Sequence, residues 1–444
     1  MKYVVFAIAM AGVPPLAFLL YLNERWRKYA FSGIMLALIA YNSTSINFLS
    51  REAYAGTSRG MEVSLAHLVA VSLLGALWLG RKVGGMFPET GFRVFVAYFL
   101  LCLPSLFSDV DPVLSWFELW KMMLLYVFGI SIYWYFKATD DLKSALQWLA
   151  AYTVINAAAV VKARFAGAYQ AHGLFPHQNS MAMAMMLLGT VFFAAYLVNG
   201  TKNTVGRAGL VAFLCAAFSV LRSYSRGAIA LMPVGFGITV LLCLRQGASR
   251  RVWPRLAPIA AAGLVAAALA LPKIVERFRN APKSSGNTRV ELAHCAFQMI
   301  SERPMTGVGI NNWSRKMQYP YKYQERASEV LGKDLDMGGI VETVYLLILA
   351  ECGWPAFLAF LAWLGWYWIS CVRLLRRLRG TRWAFLPAGL LGGLTANCLQ
   401  CCLEWVLRQQ INLFLLMFLF AMVSYLNRSW RGLRELDGAP PLLR

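Results

Sequence analysis

The sequence predicts an all-α, polytopic membrane protein with 12–13 transmembrane helices and one large external helical loop. Three observations predict it. Hydrophobic residues make up 59% of the 444-residue chain and charged residues only 14%, about half the charged share of a soluble domain. Mean hydropathy is +0.54. The apolar residues also gather into runs of about twenty, the length that crosses a ~30 Å hydrocarbon core as a helix. Together these exclude a disordered chain, a secreted mini-protein and an ordinary soluble enzyme.

In chain order the runs lie near 3–21, 30–48, 62–80, 93–107, 114–136, 145–163, 180–198, 206–222, 227–244, 255–271, 343–370, 384–404 and 409–426. The first is not expected to be a cleaved signal. It carries one Lys, is interrupted at Pro14 and Pro15, and reaches Asn23-Glu24 without a small-residue cleavage site. Lys and Arg number 43 against 21 Asp and Glu, a formal charge of +22. The basic residues sit in short loops between apolar runs, so they set topology and do not mark nucleic-acid binding. Loops 245–255 and 372–383 and the tail from Arg428 are the most basic and are expected inside. Alternation then puts 108–112, 164–179 and 272–342 outside; the N-terminus is outside with thirteen spans and inside with twelve. Nine cysteines do not cluster in a polar loop as a disulfide framework or a metal site would. Cys398, Cys401 and Cys402 read as small core residues.

This divides the chain into an N-terminal membrane bundle (1–271), an external subdomain (272–342) and C-terminal membrane helices with a cytoplasmic tail (343–444). A loop of about seventy residues without structure would be unusual unless functional. The segment holds a predicted helix, capped by Asn287 or Thr288, with Leu292, Ala293, Phe297 and Ile300 on one face. Pro304 and the Gly307-Val308-Gly309 turn end it.

Ionisable residues within or beside apolar spans are costly in lipid and are functional candidates. They are His67, Glu118, Lys121, Arg222, Arg226, Glu351, Glu404 and Arg408. For Lys121 and Arg408, snorkelling or local pairing is the competing reading. Arg222 and Arg226, at i and i+4 around Ser223-Tyr-Ser225, are expected on one helical face as an outward anion site. Arg289, expected at the start of the external helix beside free N–H groups, suits a phosphate or pyrophosphate. His172 and His177 flank Gly-Leu-Phe-Pro and precede Gln178-Asn179. Five apart with a proline between, they do not match a helical metal pair and read as a polar substrate-contacting loop. Glu342 stands where the external segment meets the next span, two and a half turns before Glu351. A carboxylate at that boundary can act as general base or simply favour the helix dipole. No metal or nucleotide signature is present.

Four stretches resemble the O-antigen ligase/polymerase superfamily of bacterial membrane glycosyltransferases. They are Ser105-Leu-Phe-Ser108 with Asp111-Pro112 and then Lys121; Phe175-Pro-His-Gln-Asn179; Ser223-Tyr-Ser-Arg-Gly-Ala228; and Thr288-Arg289 through Pro304 to Gly309, then Glu342-Thr-Val-Tyr345-Leu through Glu351-Cys-Gly353. The likeness covers about residues 100–360 and looks nearest to exopolysaccharide, exosortase-associated members. It implies a GT-C-like transferase without metal or other cofactor, facing the periplasm from the bacterial inner membrane. The donor would be a glycan on undecaprenyl pyrophosphate. The acceptor would be a hydroxyl of another lipid-linked glycan, of lipid A core or of a protein, and the family also admits a chain-length regulator as partner. Arg226 and Arg289 would hold the pyrophosphate. Arg222, Lys121, His172, His177, Asn179, Tyr345 and Glu351 would contact or support substrate. Ligases carry His-Asn where this chain has Glu342-Thr343. That departure makes Glu342 the expected base, with His172 or His177 as alternatives, and favours a polymerase over a ligase. A lipid-linked-glycan transporter would instead show paired halves with broken midplane helices, and no internal repeat is visible. A non-catalytic assembly partner of a polysaccharide machine is a third reading, under which Glu342 and the arginines would be dispensable.

Overall fold

The computed structural model describes residues 2–108, 110–279, 283–323 and 339–437. Positions 280–282 and 324–338 of the predicted external segment lie outside them. Among the described residues the fold is mainly helical, with one two-stranded sheet. In order it forms α1 (Lys2–Ala11), α2 (Val13–Leu22), α3 (Glu24–Ile39), α4 (Tyr41–Thr44), β1 (Ser45–Ser50), β2 (Gly60–Ser64), α5 (Leu65–Leu79), α6 (Thr90–Cys102), α7 (Pro112–Thr139), α8 (Leu142–Phe165), α9 (Gln178–Asn199), α10 (Thr204–Ser223), α11 (Arg226–Cys243), α12 (Ser249–Arg279), α13 (Lys283–Glu302), α14 (Trp313–Lys316), α15 (Val344–Arg377), α16 (Phe385–Gln400) and α17 (Gln410–Leu436). Among the described residues, nine stretches are long and apolar enough to cross a membrane.

Four of the thirteen predicted runs, 30–48, 62–80, 255–271 and 384–404, are not among these nine. The run at 30–48 is helical only to Thr44, and Ser45–Ser50 then pairs antiparallel with Gly60–Ser64 at the start of the 62–80 run. Apolar Ile46, Phe48 and Leu49 prolong the hydropathy signal, while the pairing that makes them a strand lies ten residues on. The run at 384–404 yields the sixteen-residue α16.

The chain divides into two compact units. One comprises 1–139, 282–366 and 401–421; the other comprises 140–281, 367–400 and 422–444. The first packs α3, α6, α7, α15 and α17 through aromatic contacts. Phe31 stacks on Tyr135 at 4.3 Å, Phe128 meets Phe414 edge-on at 4.7 Å, and Phe95 meets Trp363 at 5.0 Å. The second is organised around α9, which is buried continuously from Ser180 to Leu197, as a helix apolar on every side must be. Small residues let α16 close on it. A Cβ at Gly389 would lie 2.4 Å from the Val191 Cα, and one at Gly393 would lie 2.3 Å from the Thr190 hydroxyl. Close backbone approach of this kind is how helices gain packing energy where lipid supplies no hydrophobic drive between them.

Helix α13, in the segment predicted to be external, begins at Lys283, four residues before the expected cap. Lys283–Gly286 is polar but holds no proline, so nothing in it stops the helix. Leu292, Cys295, Ala296 and Met299 form the buried stripe, whereas Phe297 is 56% exposed. The spacing i, i+3, i+4, i+7 selects that stripe, and Phe297 falls outside it. The stripe joins Val308, Trp313, Met317, Ile340, Val341, Leu347 and Ala350 in one core. α13, the turn after it and the first turns of α15 thus share a hydrophobic interior.

α15 is broken at Gly353, whose φ is +75°. The backbone groups near the break are met by the external segment. Val308 N–H donates to Ala350 O (2.9 Å), Gly309 N–H to Glu351 O (3.0 Å) and Trp354 N–H to Pro304 O (2.8 Å). Gly307, at φ +66°, sits so close that a Cβ would lie 2.3 Å from the Glu351 carbonyl carbon. Gly307→Ala therefore meets left-handed strain and a backbone collision together. It is expected to cost about 2–4 kcal/mol, read as a lower unfolding temperature in detergent and faster proteolysis between Arg303 and Val341. Unchanged values would show that this junction yields freely.

Candidate functional site

In the first unit the core shared by α13 and the start of α15 sets the rim. Arg289 lies one turn before Leu292, and Glu342 directly follows the buried Val341. The Arg289 Nε donates to a Glu342 carboxylate oxygen, and both side chains are 37% exposed. Arg289 is the seventh residue of α13, so it is not at the helix start beside free N–H groups as the sequence suggested. Its neighbour is a carboxylate. Tyr345 occupies the first turn of α15, half-buried, with its ring 6.4 Å from Phe357.

Deeper in the same unit four charges are enclosed. Arg408 donates to Glu351 at 2.9 Å and lies 3.5 Å from Glu118. Lys121 donates to Glu118 at 2.7 Å and to the Arg408 carbonyl at 2.6 Å. Two cations face two anions, so the cluster is neutral, as low-dielectric burial demands. Lys121 and Glu351 are thus drawn into one network, with Glu351 also accepting from Trp313 N–H at 3.3 Å.

The hairpin loop and the external segment lock into it. Ser58 and Thr57 hydroxyls donate to Glu118 at 2.5 and 3.0 Å. Asn311 donates to the Ser58 and Leu114 carbonyls, both at 2.8 Å, and accepts from Ser58 N–H at 3.1 Å, with the Thr57 hydroxyl 2.9 Å from its side-chain oxygen. The carboxamide is fully used. Tyr54 donates to the Asn311 carbonyl. Burial pushes the Tyr54 hydroxyl above its ordinary value, so it stays a donor. Asn311, Thr57, Ser58 and Tyr54 were absent from the sequence candidates. The one available signal was Asn311-Asn312 directly after a double-glycine turn, and it is weak.

The second unit holds the other candidates. α10 ends at Ser223, Tyr224 takes φ +51°, and α11 begins at Arg226. Arg222 and Arg226 therefore belong to different helices and do not share a helical face as their spacing suggested. The left-handed cap at Tyr224 resets the helical phase. Arg222 lies over the Tyr224 ring at 5.6 Å. Arg226 is half-buried in the first turn of α11, with no hydrogen-bond or ion-pair partner among the described residues. A cation beside the free N–H groups of a helix start attracts anions.

The loop after α8 is tied to this turn. Ala171 N–H donates to the Arg222 carbonyl at 3.3 Å, and Leu174 N–H donates to Asn156 at 3.0 Å. The structure thereby brings His172 and the Arg222–Arg226 turn onto connected loops of one unit. His172 Nδ1 lies 2.6 Å from the Phe175 carbonyl. It must donate there, which leaves Nε2 unprotonated in the neutral ring. His177 caps α9, its Nδ1 accepting from Asn179 N–H at 3.2 Å, which places the proton of the neutral ring on Nε2. Both histidines are exposed, and Asn179 is half-buried.

Residues 211–361, about a third of the chain, match the sequence model of the O-antigen ligase family. The match spans Arg222, Arg226, Arg289, Glu342, Tyr345 and Glu351, and it supports the O-antigen ligase/polymerase superfamily for this chain. No curated protein matches it.

Proposed function

We propose, supported by that partial match, that this multi-pass protein is a glycosyltransferase of the periplasmic face of the bacterial inner membrane. It polymerises undecaprenyl-pyrophosphate-linked repeat units or moves the glycan to an acceptor hydroxyl. One observation carries the reading: an exposed-rim carboxylate, Glu342, is paired with an arginine, Arg289, at the head of a span inside the matched segment. Glu342 takes the proton of the acceptor hydroxyl. The freed oxygen attacks the anomeric carbon, and the C–O bond to phosphate breaks with inversion. Undecaprenyl pyrophosphate leaves with the electron pair. Arg289 orients the carboxylate and meets negative charge. Arg226, unpartnered at its helix start, neutralises pyrophosphate as charge develops. His172, His177, Asn179, Arg222 and Tyr345 contact substrate. Lys121 and Glu351 act through support of the external segment. Glu342-Thr343, in the place of the ligases' His-Asn, favours polymerisation.

The test is reconstitution in lipid with purified undecaprenyl-pyrophosphate-linked glycan, with product length followed on gels. A ladder of longer lipid-linked glycan is expected. Arg226→Ala is expected to lower the rate about 10²–10³-fold, the usual cost of removing one group that stabilises leaving charge. Transfer only on adding lipid A core or protein would make the activity a ligation. No transfer to any acceptor would end the enzyme reading.

A further inference from the structure

We propose that Tyr169 and Tyr224, beside Arg222, form a stacking subsite for a pyranose ring of the lipid-linked donor, next to the phosphate-binding Arg226. The proposal rests on the glycosyltransferase reading and deepens it. The two rings lie parallel, with centroids 5.1 Å apart and planes within 3°. The Arg222 guanidinium sits 5.6 Å from the centre of the Tyr224 ring and donates to its hydroxyl at 3.5 Å. Tyr169 is 59% exposed, so the stack is open on one side.

The backbone argues that the aromatic pair is not incidental. Tyr224 holds φ +51° and ψ 25°, a left-handed cap that glycine or asparagine would occupy without strain. A bulky side chain there is a genuine outlier, and such strain collects at ligand sites. The Ala171 N–H bond to the Arg222 carbonyl fixes the loop carrying Tyr169 against the same turn. An interfacial anchor needs only single rings facing lipid. It does not call for a second ring laid flat on the first beneath a guanidinium. Sugar recognition does. The C–H groups on one face of a pyranose pack on an aromatic face, and a neighbouring guanidinium donates to ring hydroxyls. Two residues on, Arg226 begins the next helix with no partner of its own among the described residues, where the phosphate joined to that sugar would lie.

The experiment compares two ligands on the whole protein in lipid nanodiscs: undecaprenyl pyrophosphate without sugar, and the same lipid carrying its glycan. Wild type is expected to prefer the glycan form by about tenfold. Tyr224→Gly suits the left-handed cap better than any other residue and removes the ring without disturbing the fold. Tyr224→Gly and Tyr169→Ala are each expected to bring the preference close to unity while affinity for the sugar-free lipid holds. Tyr169→Phe should keep the preference. If the ratio is unchanged in both ring-deleting variants, or if both ligands weaken equally, the subsite is overturned while the glycosyltransferase reading stands. A wild type that binds neither ligand would overturn that reading, and the subsite with it.

Discussion

Glu342→Gln is expected to lower the turnover of glycan transfer by about 10²–10⁴-fold, the range that a positioned general base contributes. The change is nearly isosteric. A carboxamide oxygen can still accept from the Arg289 Nε, so the rim pair keeps its shape. What is lost is the capacity to take a proton. Both partners are about a third exposed, so removing one charge disturbs stability little. The loss should therefore appear in kcat at saturating donor with unfolding temperature unchanged. Turnover within threefold of wild type would remove Glu342 as base. His172 would then be the next residue to test, because its Nδ1 is committed to the Phe175 carbonyl and its Nε2 is the basic nitrogen. His177 presents the opposite tautomer.

Arg408→Met is expected to be the most destabilising single change, by about 3–5 kcal/mol, because it leaves buried carboxylates short of a counter-charge. The two are not equally exposed to the loss. Glu118 keeps Lys121 at 2.7 Å and the Ser58 hydroxyl at 2.5 Å. Glu351, with only 1% of its side chain exposed, loses the cation that pairs with it among the described residues and keeps backbone N–H contacts such as that of Trp313. Glu351→Gln added to Arg408→Met should therefore recover more stability than Glu118→Gln added to it. Unfolding of wild type, the three single variants and the two double variants in one detergent gives both couplings. Equal rescue by both, or none by either, would show that Glu351 is not the uncompensated charge.

Much of the architecture was legible because lipid forces it. Apolar runs of sufficient length must be helices, since no other open structure satisfies its backbone there. The hairpin at Ser45–Ser64 was not legible, because hydropathy cannot tell a strand from a helix when both are apolar. At the candidate site, residue type was readable and partnership was not. Arg222 and Arg226 carry helical spacing, yet one left-handed tyrosine puts them on separate helices. Arg289 was readable as a cation near a helix start, but the start moved by a turn and its neighbour proved to be Glu342. Lys121, Glu118, Glu351 and Arg408 were flagged singly as costly charges. Glu118 and Lys121 stand at i, i+3, the local pairing that the sequence allowed for Lys121; that Arg408 and Glu351 join them depends on contacts between distant positions, which no local pattern encodes. Asn311 was invisible for the same reason.

The break at Gly353 bears on how this protein could be recombined. The first nine residues of α15 owe part of their hydrogen bonding to Pro304–Gly309 rather than to the rest of their own helix. The natural module border is therefore not the apparent membrane boundary near Val344. A chimera that exchanged this segment for a relative's and rejoined the host at Glu342 would sever those bonds and set a foreign turn against the host's own Glu351 carbonyl. A graft carried through Gly353 would take donor and acceptor together. Inheritance of acceptor preference by exchange of this segment should thus succeed or fail on where the downstream seam is placed.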